Sequence, residues 1–108
     1  MTYTNAAETI RVGAGANFAV RLASNPTTGY QWQLVDLGTD APVRLLEHRF
    51  EEHAGARRRL GAGGHEIWLF EAVRPGAADL ELKYLRPWAP DSVHTSCVFK
   101  VRIVPLCP

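Results

Sequence analysis

Apolar and polar residues alternate along almost the whole chain, and Gly, Pro, Asn and Asp interrupt the alternation at short intervals. Successive side chains of a strand point to opposite faces, so this period of two predicts half-buried strands joined by turns. Thr9–Val12 is a short first strand, closed by Gly13-Ala14-Gly15. In the second, Ala16–Ala23, the residues Phe18, Val20 and Leu22 share one face, with Asn17, Ala19 and Arg21 on the other. Tyr30, Trp32 and Leu34 alternate with Gln31, Gln33 and Val35 in the third. Val43–Phe50 has a mixed pattern in which Leu46, His48 and Phe50 share a face. Ile67-Trp68-Leu69-Phe70 is continuously apolar, the mark of a central strand buried on both sides. Leu80, Leu82 and Tyr84 alternate with Asp79, Glu81 and Lys83. The last strand turns Cys97, Phe99, Val101 and Ile103 inward and Lys100 and Arg102 outward. No segment keeps a helical period. The expectation is an all-β fold: an immunoglobulin-like antiparallel β-sandwich of about seven strands, in one domain spanning residues 1–108.

That architecture makes a prediction about the loops. If consecutive strands run antiparallel, connections alternate between the two ends of the sandwich. The second, fourth and sixth connections then share one end: residues 25–29, 51–64 and 86–91. The other end receives Gly13–Gly15, Asp36–Pro42 and Arg74–Ala77, which are ordinary turns.

The second, fourth and sixth connections are chemically unusual. In Asn25-Pro26-Thr27-Thr28-Gly29-Tyr30, Pro26 fixes its own backbone and Gly29 supplies a conformation closed to other residues. Between them stand two β-branched hydroxyl side chains with few rotamers. Gly61-Ala62-Gly63-Gly64 lets backbone groups approach a partner closely, as in strand addition. Arg86-Pro87-Trp88 carries a large aromatic in a loop that cannot continue a paired strand. Trp88 is either an interface anchor or a lid folded over the sandwich end, and Arg86 either clamps a carboxylate or braces its own loop. Trp32 and Trp68 sit mid-strand and read as core. The three connections together form a loop-borne recognition surface on a rigid scaffold.

Composition narrows the partner. With 46% hydrophobic and 21% charged residues the chain is an ordinary globular domain, and a net charge of +1 excludes the basic excess of a nucleic-acid or acidic-membrane binder. The run Arg57-Arg58-Arg59 reads as a solvated loop in preference to a patch that steers an acidic partner. No stretch approaches the roughly 20 apolar residues of a membrane span. The chain as given opens without a basic or apolar leader, which sets a cytoplasmic expectation, or a periplasmic or secreted one if a leader has been trimmed. A Cys97–Cys107 disulfide is disfavoured, because the extended strand between them carries its ends apart.

Enzyme chemistry has no support. His48, His53, His65 and His94 form no ligand set with the cysteines, and a strand thiol flanked by Val98 and Phe99 is not an activated nucleophile. The glycine run lacks the Lys-Ser/Thr and the helix of a phosphate loop. No catalytic residue, metal or cofactor is expected.

In order and spacing, Asn25-Pro26-Thr27-Thr28-Gly29-Tyr30, Gly61-Ala62-Gly63-Gly64 and Arg86-Pro87-Trp88 resemble the three signature loops of the chagasin-like inhibitors of papain-family cysteine peptidases. The resemblance covers nearly the whole chain, and Tyr30 stands where that family carries an aromatic. Arg57–Arg59 has no counterpart assigned from it. The resemblance implies a reversible, non-covalent, monomeric inhibitor whose partners are cathepsin L-like and papain-like enzymes. The loop at Asn25–Gly29 would enter the cleft with Thr27 and Thr28 near the catalytic cysteine. Gly61–Gly64 would lie along the non-primed side, and Arg86, Pro87 and Trp88 would grip the primed side. The alternative from the residues alone is an immunoglobulin-like adhesion or assembly module without inhibitory activity.

Overall fold

The alternating pattern resolves into eight strands in a computed structural model, which describes residues 2–4, 7–25, 28–35, 37, 40–52, 64–89 and 91–105. They are β1 (Thr2–Tyr3), β2 (Ile10–Gly13), β3 (Asn17–Ser24), β4 (Gln31–Leu34), β5 (Val43–Glu52), β6 (Gly64–Ala72), β7 (Gly76–Leu85) and β8 (Thr95–Val104). Two four-stranded sheets run in the orders β1-β3-β6-β5 and β2-β8-β7-β4. That is the immunoglobulin plan, with β2 added beside the last strand. All pairings are antiparallel except those of the two N-terminal strands: β1 lies parallel to β3 and β2 parallel to β8.

The core forms where the expected inward faces meet. Phe18, Val20 and Leu22 of β3 and Trp68, Phe70 and Ala72 of β6 bury against Leu80 and Leu82 of β7 and Phe99, Val101 and Ile103 of β8. Phe18 and Phe70 are register partners, and their rings stack with centroids 5.5 Å apart. Each Val, Leu, Ile or Phe side chain among them contributes about 1.5–3 kcal/mol by leaving water. Trp32 and Trp68 are buried, as their mid-strand positions imply. β6 is covered on its outer face too, where Ile67 is buried between its register neighbours Arg21 and Arg49.

Four details depart from the alternation. β1 is an eighth strand, only two residues long, which is too short to leave a pattern. β5 carries a bulge between Leu45 and Glu47, so Leu46 slips out of step. Beyond it, His48 and Phe50 fall opposite Trp68 and Glu66 on the inner face. β6 begins at Gly64, three residues before the apolar run, because β3 and β5 both extend far enough to pair with it. Cys97 is only half-buried against the core; burial pushes its thiol up, which leaves it protonated and inert. Cys107 lies outside the described residues.

The ends of the sandwich separate as strand parity requires. At one end Ala14 and Gly15 donate to the carbonyls of Val104 and Ala72, and Val73 donates to that of Pro42. These bonds bind the ordinary turns together. At the other end Ser24 pairs with Gly64, Gly64 with Glu52, and Gln31 with Leu85, so segments 25–30, 53–63 and 86–94 all leave from there.

Removing a central ring tests this layout against the surface. Phe70→Ala is expected to cost about 3–5 kcal/mol in chemical denaturation, through lost transfer energy and the cavity left behind. Val98→Ala, on the exposed face of β8, should stay within about 0.5 kcal/mol.

Candidate functional site

The loop that follows β3 is braced by its own polar groups. The Asn25 carbonyl accepts from the Thr28 amide at 3.2 Å and from the Thr28 hydroxyl at 2.7 Å. The same hydroxyl accepts from the Tyr30 amide at 3.4 Å. Asn25 is fixed to the opposite sheet, its amide donating to the Tyr84 hydroxyl at 3.0 Å. Thr28 is exposed, but its hydroxyl is thus committed to the loop. Gly29 has a φ of 83°, which strongly favours glycine.

Gly29 is required for a second reason. A Cβ there would stand 2.5 Å from Cη2 of Trp88. The indole lies across Gly29 with its far side open, and Trp88 keeps 71% of its surface exposed. It is therefore not a lid over the core. A largely exposed tryptophan seated on a neighbouring loop is a preformed contact surface.

The loop that carries Trp88 is itself a tight turn. Ala89 donates to the Arg86 carbonyl at 2.9 Å, and the Ser92 hydroxyl donates to the Ala89 carbonyl at 2.6 Å while accepting from the Arg86 amide at 3.0 Å. Arg86 reaches across and places its guanidinium 4.7 Å from the centroid of the Tyr30 ring. It braces the neighbouring loop by a cation–π contact, worth about 0.5–1 kcal/mol at an exposed site. Tyr30 in turn stacks on Tyr84 at 5.4 Å, and Tyr84 meets Trp32 at 4.9 Å. A column of rings thus runs from the core to the surface under both loops.

Gly64 supports the glycine-bearing connection from inside β6. It is buried, and a Cβ there would strike the Glu51 carbonyl and come within 2.8 Å of the Phe50 ring. Its missing side chain is taken up by β5, its own neighbour strand. Pro26, Thr27, Gly61, Ala62 and Gly63 lie outside the described residues, as does Arg57–Arg59. Among the site residues expected from sequence, the structure brings Asn25, Thr28, Gly29, Tyr30, Arg86, Pro87 and Trp88 to one end, with Gly64 beside Ser24 at the foot of the same surface.

Beneath these loops lies a cluster the motifs do not contain. Glu66 is 4% exposed, and its carboxylate accepts from the Ser24 hydroxyl at 2.7 Å and the Trp32 amide at 3.1 Å. Its other oxygen meets Nε2 of His48 at 2.7 Å, and the His48 ring stacks on Trp68 at 3.7 Å. Strand parity signals it: Gly64, Glu66, Trp68, Phe70 and Ala72 share one face, so Glu66 points inward with the aromatics. A carboxylate on an inward face must find partners.

No group of His, Cys, Asp and Glu able to hold a metal occurs among the described residues. The arrangement offers recognition: a loop braced at Asn25, Thr28 and Tyr30, an exposed tryptophan beside it, and a shared aromatic footing.

Comparison with known proteins points the same way. The profile of the Chagasin family peptidase inhibitor I42 matches residues 11–103. Amoebiasin-1 of Entamoeba histolytica is 31% identical over 103 residues, covering 95% of this chain and 97% of its own. The fold is similar to that of the cysteine protease inhibitor EhICP2 from Entamoeba histolytica, with a TM-score of 0.72 at 21% identity, over 89% of this chain and 85% of that one. It is also similar to PbICP-C, solved in complex with falcipain-2, with a TM-score of 0.64 at 16% identity over 96% and 98% of the two chains. The match along most of the sequence and the shared sandwich agree, and the chain belongs to the chagasin family of peptidase inhibitors.

Proposed function

We propose that this chain closes the active-site cleft of papain-family cysteine peptidases, reversibly and without a covalent bond, using the loop end of the sandwich. The wedge is the segment 25–30. The tryptophan loop 86–88 lies against it, and the glycine segment, which leads into Gly64 beside Ser24, is the third contacting segment. The observation that carries the reading is the seat of Trp88 on Gly29, which joins two of the three segments into one preformed surface. Family membership supplies the inhibitory activity, and the complex of PbICP-C with falcipain-2 shows this fold engaged with such a partner.

The physical case rests on low ordering cost. Association forfeits free energy for every loop that must be immobilised, so a loop already fixed keeps more of its contact energy as affinity. Here the Thr28 hydroxyl, the Asn25–Tyr84 bond and the Arg86–Tyr30 contact fix the wedge before any partner arrives. A wedge held this tightly cannot easily take the extended form that a peptidase needs in a substrate. Three loops can supply the about 1,600 Å² of a standard enzyme–inhibitor interface.

Three measurements test the reading. Titration into papain or cathepsin L should give tight inhibition with full recovery of uncut inhibitor after long incubation; no inhibition at micromolar concentrations by folded protein would favour a non-inhibitory interaction module. Trp88→Ala should raise the inhibition constant roughly 30-fold, equivalent to about 2 kcal/mol, and leave the thermal midpoint nearly unchanged because the ring is mostly exposed. Thr28→Val keeps the shape but removes two hydrogen bonds, and should weaken inhibition about five- to tenfold, equivalent to about 1–1.4 kcal/mol for the two net bonds together.

A further inference from the structure

One carboxylate touches the roots of two of the three loops. Ser24, which donates to Glu66, is the last residue of β3 and immediately precedes the wedge. Trp32, whose amide also donates to it, lies two residues beyond Tyr30, where the chain leaves the wedge. His48 approaches from β5, the strand that enters segment 53–63, and Glu66 itself sits two residues past Gly64, where β6 emerges from it. Four strands from both sheets therefore meet at one side chain. The bond to Trp32 crosses between the sheets, since β4 belongs to one and β6 to the other.

A buried carboxylate is a poor choice for stability alone. Its desolvation costs several kcal/mol before its partners compensate, and apolar side chains of similar volume often serve a core as well or better. The charged group stands at the loop end of the β6 inner face, while Trp68, Phe70 and Ala72 continue that face into the core. The feature that distinguishes its position from theirs is its contact with the loop roots.

From this we infer that Glu66 is a positioning residue for inhibition. It fixes the wedge and the glycine segment at one spacing across the two sheets, so that both meet the peptidase together. The inference rests on the inhibitory reading above but makes a claim that can be tested without it. When Glu66 loses its charge or Ser24 its hydroxyl, the sandwich persists while the wedge loses its fixed footing. Tyr84 still holds Asn25 from the other sheet, so the wedge loosens rather than detaches.

The experiment compares Ser24→Ala, Glu66→Gln and the paired apolar variant Glu66→Leu/His48→Phe with the unaltered chain. Two readouts are taken: the inhibition constant for papain, and amide hydrogen exchange in the free protein. The expected result is a rise of about tenfold or more in the constant for the paired variant, which loses every bond of the carboxylate, and a smaller rise for Glu66→Gln, whose amide oxygen still accepts from Ser24 and Trp32 but without the charge. Ser24→Ala should rise less. Exchange at Thr28 and Tyr30 should speed up while amides of β7 and β8 keep their protection. The paired variant separates positioning from stability, because it removes the buried charge together with its partner. If it unfolds, Ser24→Ala carries the same comparison. Unchanged exchange at Thr28 and Tyr30, or a constant that weakens only in proportion to the unfolded fraction, would overturn the inference. If the unaltered chain fails to inhibit papain while loop exchange still responds to Glu66→Gln, the inhibitory reading falls and the positioning role stands.

Discussion

Strand direction is the constraint on which the functional end depends. Each strand crosses the sandwich and the next returns, so every second connection emerges at the same end. The buried faces fix the register within this plan, because a strand that slipped by one residue would expose Phe18, Phe70 or Phe99 and bury its polar side. Three segments distant in sequence are brought together with no contact among them needed to do it. The contacts that do exist, Trp88 on Gly29 and Arg86 on Tyr30, then only have to refine a proximity already given.

The polar groups at that end are used twice. Thr28 presents itself at an exposed tip, yet its hydroxyl is occupied in holding the loop shape. Gly29 and Gly64 look alike in sequence and differ in purpose: one admits the Trp88 ring, the other lets β5 and β6 close on each other. The Glu66 cluster completes the set by tying both sheets just below the surface. These contacts brace the described residues of the loop end in advance, which lowers the ordering cost of binding.

Much of this was legible in the sequence, and for identifiable reasons. Alternation places Phe18, Val20 and Leu22, and later Phe99, Val101 and Ile103, on the buried face without reference to any partner strand. Parity then locates the loops. What resisted reading were the features that depend on registration between strands. The bulge takes Leu46 out of the face that the alternation shares among Leu46, His48 and Phe50, and nothing within β5 announces it. Gly64 looks like loop and is strand, because its fitness there comes from the Glu51 backbone beside it. Glu66 stood in plain alternation with Trp68 and Phe70, but its meaning depends on Ser24, Trp32 and His48 arriving from three other strands.

The central claim is that a peptidase docks on the loop end. Amide chemical-shift mapping with an inactivated papain tests it most directly. Perturbed amides should cluster in 25–30, 61–64 and 86–89 and spread only to their immediate strand ends. Perturbation centred on the opposite turns, 14–16, 35–42 and 73–75, with the loop end silent, would contradict it.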